Sequence, residues 1–299
     1  MNPGAISPGA RGLPPAVRAR KAVQPERTEP PSAAPVRAAR PRARRGLLER
    51  WLSWRWSAWT SPLLVLAAWV IATALEWAPE QILVPPLQVL ASAWELADSG
   101  ELGEHVSISL VRLLSGFLIG SAAGIVFGLL VGLSPRLDAY TAPSFQVLRQ
   151  IPSVALIPLF ILVFGIGETF KLVIVAKASF FIVALAVHDA VTGLPARYAE
   201  VAAVLRFSRL QVIRKVVLPA IVPATLTGVR IALGRSWMVL VGAELLAAEN
   251  GLGQMMEMAR QMFRLDVVMV GVVLTGLIGV TLDRGFRLLE AYLMRWQRR

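Results

Sequence analysis

Long apolar runs alternate with short charged segments through most of this sequence. The runs lie at 62–77, 109–133, 142–167, 170–188, 220–241 and 267–282. About 20 apolar residues in a helix cross the roughly 30 Å hydrocarbon core of a bilayer. Backbone groups in lipid must be hydrogen-bonded internally, so such runs favour helices. With 56% hydrophobic residues and a mean hydropathy of +0.60, the chain is predicted to be an all-α integral membrane protein whose six transmembrane helices form one domain over 61–290.

Basic residues are concentrated at the N-terminus. The chain has a net charge of +12, and residues 1–45 contain ten Lys or Arg, two Glu and nine of the 20 prolines. A segment of this composition cannot bury enough apolar surface to offset its chain entropy. We therefore predict a disordered, basic cytoplasmic tail over 1–45 that binds no nucleic acid, with an RNA- or lipid-binding arm as the alternative.

Four tryptophans, at 51, 54, 56 and 59, alternate with charged residues between 46 and 60. An indole ring prefers the headgroup region of a bilayer, where its N–H stays hydrated. The pattern predicts an interfacial helix over 46–60 that contacts lipid, and a carbohydrate- or base-stacking site is the alternative.

The distribution of charge between the runs predicts an orientation. Between 76 and 105 there are six acidic residues and no Lys or Arg. Cytoplasmic loops of membrane proteins carry an excess of Lys and Arg, so this segment is predicted to lie outside and the basic N-terminus inside. Six crossings then return the basic tail at 291–299 to the inside. We expect a multi-pass protein of the plasma (inner) membrane with both termini cytoplasmic.

Residues that carry chemistry are scarce. The chain has no cysteine, two histidines, at 105 and 188, and no GxxxxGK[ST] phosphate loop. We therefore predict no catalytic or metal site and no cofactor in this chain, so any ATP would be bound by a partner subunit. A secondary transporter would need carboxylates buried within the spans, and a membrane-embedded enzyme would need paired carboxylates or a histidine cluster. Both remain as alternatives.

The stretch 198–223 is the only long charged amphipathic segment between two apolar runs. We predict two short helices with a corner between them, the second capped by Ser208. Glu200 is expected near the positive end of the first helix dipole. The small side chains of Ala202 and Ala203 are expected to leave a shallow surface on which another protein docks.

This stretch resembles the cytoplasmic EAA loop in the permease subunits of type I ABC importers. That loop reads Glu-Ala-Ala, three residues, Gly, nine residues, a β-branched residue, one residue and Leu-Pro, and the matching positions are Glu200, Ala202, Val216, Leu218 and Pro219. Val201 replaces an alanine and Arg206 replaces the glycine. An arginine at this corner must adopt a left-handed backbone, at a cost of about 1–2 kcal/mol, or use a different turn.

Other segments resemble the sulfonate, nitrate and taurine branch of that family: the run 142–167 with GETFK after it, RIALGRSW at 230–237, and AELLAAENGLGQMM at 243–256. The resemblance implies a permease subunit that works as a homodimer, with an external solute-binding protein and a separate ATPase subunit as partners. It further implies a small anionic solute of the alkanesulfonate, taurine or nitrate class. The residues expected to couple to the ATPase are Glu200, Val201, Ala202, Ala203, Arg206, Leu218 and Pro219.

Charged residues within the apolar runs are candidates for the substrate pathway, because a charge at membrane depth is costly unless it is paired or hydrated. The candidates are Lys177, Arg235 and Glu244. Lys177 is expected either to reach the interface or pair with a carboxylate such as Glu244, or to contact an anionic substrate. Arg230 and Arg235 lie about 140° apart on a helix and are expected to serve different neighbours.

Glycine recurs every fourth residue in the second run. The positions are Gly116, Gly120, Gly124, Gly128 and Gly132. Glycines at this interval form a smooth stripe that lets two helix backbones approach closely in lipid. We predict tight packing within the chain along this stripe, with sliding against a neighbour during transport as the alternative.

Overall fold

The computed structural model describes residues 57–77, 79 and 83–295, and every regular element in that part of the chain is helical. The α-helices are α1 (Ser57–Ala74), α2 (Pro86–Asp98), α3 (Glu101–Leu133), α4 (Pro135–Gln150), α5 (Ile157–Phe164), α6 (Glu168–Thr192), α7 (Ala196–Val204), α8 (Arg209–Val212), α9 (Leu218–Ala247), α10 (Leu252–Gln261) and α11 (Leu265–Leu293). A 3₁₀ turn, Ser153–Leu156, precedes α5, and a π turn, Ile213–Val217, precedes α9. The predicted tail at 1–45, most of the predicted interfacial helix at 46–60 and the last four residues lie outside the described residues.

The described residues divide into two compact units, one ending at Ala91 and the other beginning at Ser92. In the first unit, the indole N–H of Trp69 on α1 donates a hydrogen bond to the carbonyl of Val84 at 3.1 Å. The second unit begins at Ser92 and contains all the helices from α3 onward. All of the sites described below belong to this second unit.

Four helical stretches in the described chain are long and apolar enough to cross a membrane: α3, α6, the continuous stretch 209–247, and α11. The pair formed by α4 and 153–164 passes the same test as one span, with an 87° bend. The apolar part of α1, Thr60–Ala74, is shorter than a span of ordinary length. The all-α membrane fold is therefore confirmed, whereas four or five crossings are found by length and composition. A sixth crossing by α1 stays a prediction.

Helices α3 and α6 make the most extensive contact in the bundle, and the glycine stripe lies in it. A Cβ on each stripe glycine would meet a backbone carbonyl of α6 that also recurs every fourth residue: Leu172, Ala176, Phe180, Ala184 and His188. Later glycines face later carbonyls, so the two helices run in the same direction. The chain between them must therefore return across the bundle, which favours counting the bent pair as a crossing.

Helix α9 runs opposite to α6, because a Cβ on Gly228 near the start of α9 would meet Ala186 near the end of α6. Helix α11 runs opposite to α9. The hydroxyl of Thr227 donates to Glu290 at 3.1 Å, and the indole of Trp237 donates to the carbonyl of Thr275 at 3.0 Å. The start of α9 and the end of α11 therefore share one end of the bundle.

Three boundaries differ from the predicted ones. The sequence predicts that Arg136 and Asp138 mark a short inside loop, but Ser134 caps α4 and places both residues in the first turn of that helix. Helix α3 begins at Glu101, eight residues before the predicted run. The sequence also predicts a tight turn at 168–171 after the apolar run 142–167, but α6 begins at Glu168 and these residues form its first turn. Hydropathy locates the apolar part of each helix, and these helices extend beyond it into polar residues.

Candidate functional site: the elbow and the charges within the bundle

Residues 196–212 form an elbow that joins α6 to the stretch leading into α9. Helix α7 ends at Val204 and is followed by a left-handed residue, Arg206, with φ of 51°. The N–H groups of Arg206 and Phe207 donate to the carbonyls of Ala203 and Ala202, each at 3.0 Å, which is the Schellman pattern. Of the two alternatives for this corner, the structure therefore has the left-handed backbone, in a position where glycine is usual.

Helix α8 of the elbow begins with a capping box. The hydroxyl of Ser208 accepts a hydrogen bond from the N–H of Gln211 at 3.4 Å, and the side-chain oxygen of Gln211 accepts one from the N–H of Ser208 at 2.8 Å. The predicted pair of short helices with a capped second member is what the structure shows. Leu218 and Pro219 follow the π turn as the first two residues of α9.

The exposed face of the elbow differs from the predicted one. Ala202 is only 1% exposed, while Val204 is 82% exposed, and Val201, Leu205 and Leu210 are exposed as well. The elbow therefore presents larger apolar side chains, with Ala202 packed beneath them and Ala203 half-buried. Glu200 is exposed and lies in the second turn of α7, because that helix begins at Ala196. The prediction that Glu200 lies near the positive end of the helix dipole was therefore wrong.

Basic side chains surround this apolar face. They are Arg197, Arg206, Arg209, Arg214 and Lys215, all of which are exposed. Lys215 lies over the ring of Phe207 at 5.2 Å, and Arg197 over the ring of Tyr198 at 5.5 Å. Within the described chain none of these five cations forms an ion pair. The elbow thus combines apolar surface with positive charge that has no carboxylate partner in the described residues.

At the opposite end of the bundle, Arg112 on α3, a residue that is 3% exposed, joins three segments through its guanidinium. It donates two hydrogen bonds to the Glu168 carboxylate on α6, each at 2.6 Å, and one to Glu244 on α9 at 2.9 Å. It also donates to the backbone carbonyl of Asn250 at 2.6 Å and to the side-chain oxygen of that residue. The fork geometry of arginine matches a carboxylate in this way.

The remaining members of this Arg112 cluster complete the hydrogen bonding of Glu244. The hydroxyl of Ser109 lies 2.8 and 2.9 Å from its two oxygens, and the N–H of Gly253 donates to it at 3.1 Å. Lys171 donates to Glu168 at 3.0 Å. Glu244 is 1% exposed, so it lies in a closed ion-pair cluster instead of the open pathway position expected for it. Sequence reasoning missed Arg112, although a charge at the start of an apolar run is the signal that could have identified it.

Lys177 on α6 donates hydrogen bonds to the bend between α4 and α5. Its ammonium donates to the carbonyl of Ile151 at 2.7 Å and to the hydroxyl of Ser153 at 3.4 Å. A broken helix at membrane depth is tolerated where a neighbour satisfies the freed carbonyls, and Lys177 does so here. The predicted pairing of Lys177 with Glu244 was therefore wrong, because Glu244 belongs to the Arg112 cluster. In the sequence, Pro152 and Pro158 within the apolar run 142–167 predict a bent or broken helix, and the bend between α4 and α5 confirms this prediction.

An open groove of about 950 Å³ runs between α9 and α11. Arg230, Arg235, Trp237, Thr275 and Asp283 contribute its polar and aromatic lining. The other ten lining residues are four glycines and six aliphatic or Met side chains. The two arginines thus line one groove, although their ionic neighbours differ as expected. Arg230 lies 3.8 Å from Glu290 and 4.0 Å from Asp283, while Arg235 has no ion pair or hydrogen bond within the described residues.

Arg235 and Lys177 lie at the same depth. Lys177 is nine residues beyond Glu168, and Arg235 is nine residues before Glu244 in the oppositely directed helix. Both carboxylates bind Arg112, so both cations lie about 14 Å from that cluster toward the elbow end. One layer of the bundle therefore contains two cations.

Among the residues that the structure describes, no group of His, Asp or Glu side chains could hold a metal ion. The site is therefore built from hydrogen bonds, charge and shape. Its parts are an apolar and basic elbow at one end, an ion-pair cluster at the other, and the cations Lys177, Arg230 and Arg235 between them.

Comparison with known proteins identifies a family for this chain. The family described as the binding-protein-dependent transport system inner membrane component matches residues 120–295. The putative aliphatic sulfonates transport permease of Bacillus subtilis (strain 168) is 38% identical over 236 residues, covering 79% of this chain and 86% of that protein. The taurine transport system permease of Escherichia coli (strain K12) is 35% identical over 242 residues, covering 79% and 88%.

A third relative, the nitrate import permease of Leptolyngbya laminosa, is 32% identical over 208 residues, covering 66% of this chain and 74% of that protein. These relatives lie in the branch that the sequence resemblance indicated. They set aside the alternatives of a secondary transporter and a membrane-embedded enzyme. The chain belongs to the binding-protein-dependent transport family of inner membrane components, as the permease subunit of an ABC importer.

Proposed function

We propose that this permease conducts a small anion of the alkanesulfonate, taurine or nitrate class, and that the groove between α9 and α11 is part of its pathway. The observation that carries the proposal is Arg235, which is exposed near the middle of α9 without an ionic partner in the described chain. An arginine facing lipid at that depth costs about 2.5–3.5 kcal/mol on insertion scales. A hydrated pathway that carries anions removes this cost and uses the charge.

A second copy of the chain is the proposed cover of the groove, so that a homodimer encloses the pathway within the bilayer. Gly234 and Gly276 line the groove, and a Cβ built on either would meet no atom within 4 Å. Small residues with open space beside them allow another helix to approach closely in lipid. Lys177 supports the same proposal, because it places a second cation in the layer of Arg235. Glu244 contributes by holding the Arg112 cluster closed.

Substituting Arg235 by glutamine tests the pathway. We expect Arg235→Gln to lower ATP-driven uptake of the transported anion at least about tenfold, the effect of losing one charge-assisted hydrogen bond. The measurement is uptake of labelled taurine, ethanesulfonate and nitrate by liposomes that contain the complete importer with its ATPase and binding protein.

Arg284→Gln is the matched control, because Arg284 is exposed on α11 without an ion pair in the described chain and does not line the groove. Uptake by this variant should stay at the wild-type level. Equal uptake by the Arg235 variant and the wild type would contradict the pathway, and no uptake of any of the three anions by the wild type would contradict the substrate class.

We further propose that the elbow docks on the ATPase subunit, which binds ATP, and that the elbow and both termini are cytoplasmic while a solute-binding protein docks outside. The exposed Val201, Val204, Leu205 and Leu210 would enter an apolar groove of the ATPase. Glu200 and Arg206 would contact its rim, and the buried Ala202 with Ala203 would hold α7 against the bundle. Leu218 and Pro219 would pass the movement of the elbow into α9 as a rigid-body rotation.

A charge on the exposed elbow face is expected to prevent docking. Val204→Asp should reduce co-purification of the ATPase subunit at least about tenfold, as expected for a central apolar contact, without altering the fold of this exposed position. Phe263→Asp, on a residue that is 91% exposed after α10, should leave co-purification unchanged. Retention of the ATPase by the Val204 variant would argue against the elbow as the docking site.

A further inference from the structure

Arg230 has hydrogen-bonding capacity that the described chain does not use. A guanidinium carries five N–H donors, and none of the five on Arg230 makes a hydrogen bond within the described residues. Its closest carboxylate oxygens, on Glu290 and Asp283, are 3.8 and 4.0 Å away, which is beyond hydrogen-bonding distance. The two carboxylates thus partly neutralise the charge of Arg230, while its N–H donors stay available to another hydrogen-bond acceptor.

The two carboxylates near Arg230 have closer partners. Asp283 forms an ion pair with Arg287 at 2.9 Å, and Glu290 accepts a hydrogen bond from Thr227 at 3.1 Å. Asp283 also lines the groove beside Arg230. The four charged side chains here, Arg230, Arg287, Asp283 and Glu290, sum to zero, whereas Arg235 stands alone. The positive potential therefore falls along the groove from Arg235 toward Arg230.

Arg230 is five residues before Arg235 in α9, a rise of about 7.5 Å toward the elbow end. We propose that Arg230 is a second anion contact in the pathway, from which the anion leaves toward the elbow end, and that Asp283 weakens its hold there. The free N–H donors of Arg230 bind the anion after it leaves Arg235. The nearby carboxylates lower the affinity of Arg230 for the anion, so the anion is released. This rests on the proposed anion pathway and assigns its exit step.

Binding of the labelled anion to the nucleotide-free importer in lipid nanodiscs tests this assignment, using whichever of taurine, ethanesulfonate or nitrate the wild type transports fastest. Arg230→Gln should weaken binding at least about tenfold, the loss expected for a charge-assisted hydrogen bond, and Arg230→Lys should restore part of it. Asp283→Asn should tighten binding roughly threefold or more, because it removes a competing charge. Arg284→Gln, on α11 beside Asp283 but outside the groove lining and without an ion pair in the described chain, is the control and should leave binding unchanged.

The opposite signs distinguish a binding role from a structural one. If Arg230 and Asp283 only hold α9 against α11, Arg230→Gln and Asp283→Asn should both lower thermal stability. Binding would then not weaken in the first variant and tighten in the second, and that result would overturn the proposal. If Arg235→Gln abolishes uptake while anion binding is unchanged in the Arg230 and Asp283 variants, only the exit contact fails. If the wild type transports none of the three anions, the proposed substrate class fails and this assignment fails with it.

Discussion

Arg112→Met is expected to lower the free energy of unfolding by about 3–5 kcal/mol, the usual cost of removing one partner of a buried ion pair. The reason is Glu244, a carboxylate that is 1% exposed and would lose the guanidinium that compensates it. The substitution also removes the link from α3 to Glu168 on α6. Unfolding of the purified chain in lipid bicelles measures the effect.

A second substitution separates the unpaired charge from lost packing. Adding Glu244→Gln to Arg112→Met should recover a large part of the loss, because a neutral amide can still accept the hydrogen bonds from Ser109 and Gly253. If the double variant is no more stable than the single one, the uncompensated charge is not the cause.

The control arginine for this experiment is Arg260 on α10, whose side chain is exposed. Its hydrogen bond to Glu257 lowers the pKa of that carboxyl to about 2, so the pair is fully ionised at neutral pH. Solvent replaces an exposed partner at little cost. We therefore expect Arg260→Met to leave stability unchanged, in contrast to the same substitution at Arg112.

The features that the sequence predicted well depend on local chemistry. Hydropathy located the spans of α3, α6, α9 and α11, because an apolar run of that length requires a helix in lipid. Prolines located the bend near Ile151, since a proline cannot donate within a helix. Ser208 was identified as a cap because hydroxyl side chains accept from the free N–H groups of a first turn.

The features that the sequence could not supply depend on how helices are turned toward one another. Arg112 binds Glu168 and Glu244, residues far apart in the chain, and only the packing of three helices brings them together. Lys177 was recognised by its depth, but its acceptor is the backbone carbonyl of Ile151, which has no sequence signature. The same limitation applied to the elbow, where the rotation of α7 decided that Ala202 is buried and Val204 is exposed.

Gly120→Val is expected to lower the free energy of unfolding by about 3 kcal/mol, the upper end of the usual cost of overpacking. A Cβ at this position would overlap the carbonyl oxygen of Ala176 and the hydroxyl of Ser179 on α6. The carbonyl belongs to a helix backbone, so it cannot rotate away as a side chain would, and α3 and α6 would have to separate. Unfolding in lipid bicelles measures this effect as well.

Gly103→Val is the matched control for the stripe, because Gly103 lies on the same helix and a Cβ there would meet no atom within 4 Å. It should change stability little, since valine fits an exposed helix at least as well as glycine. Ser179→Ala should not rescue Gly120→Val, because the carbonyl of Ala176 remains in place. If the two glycine variants are equally stable, α3 and α6 can separate at little cost, as the alternative of a sliding contact requires. If Gly120→Val is much less stable than Gly103→Val, the stripe holds the two helices together as one rigid body.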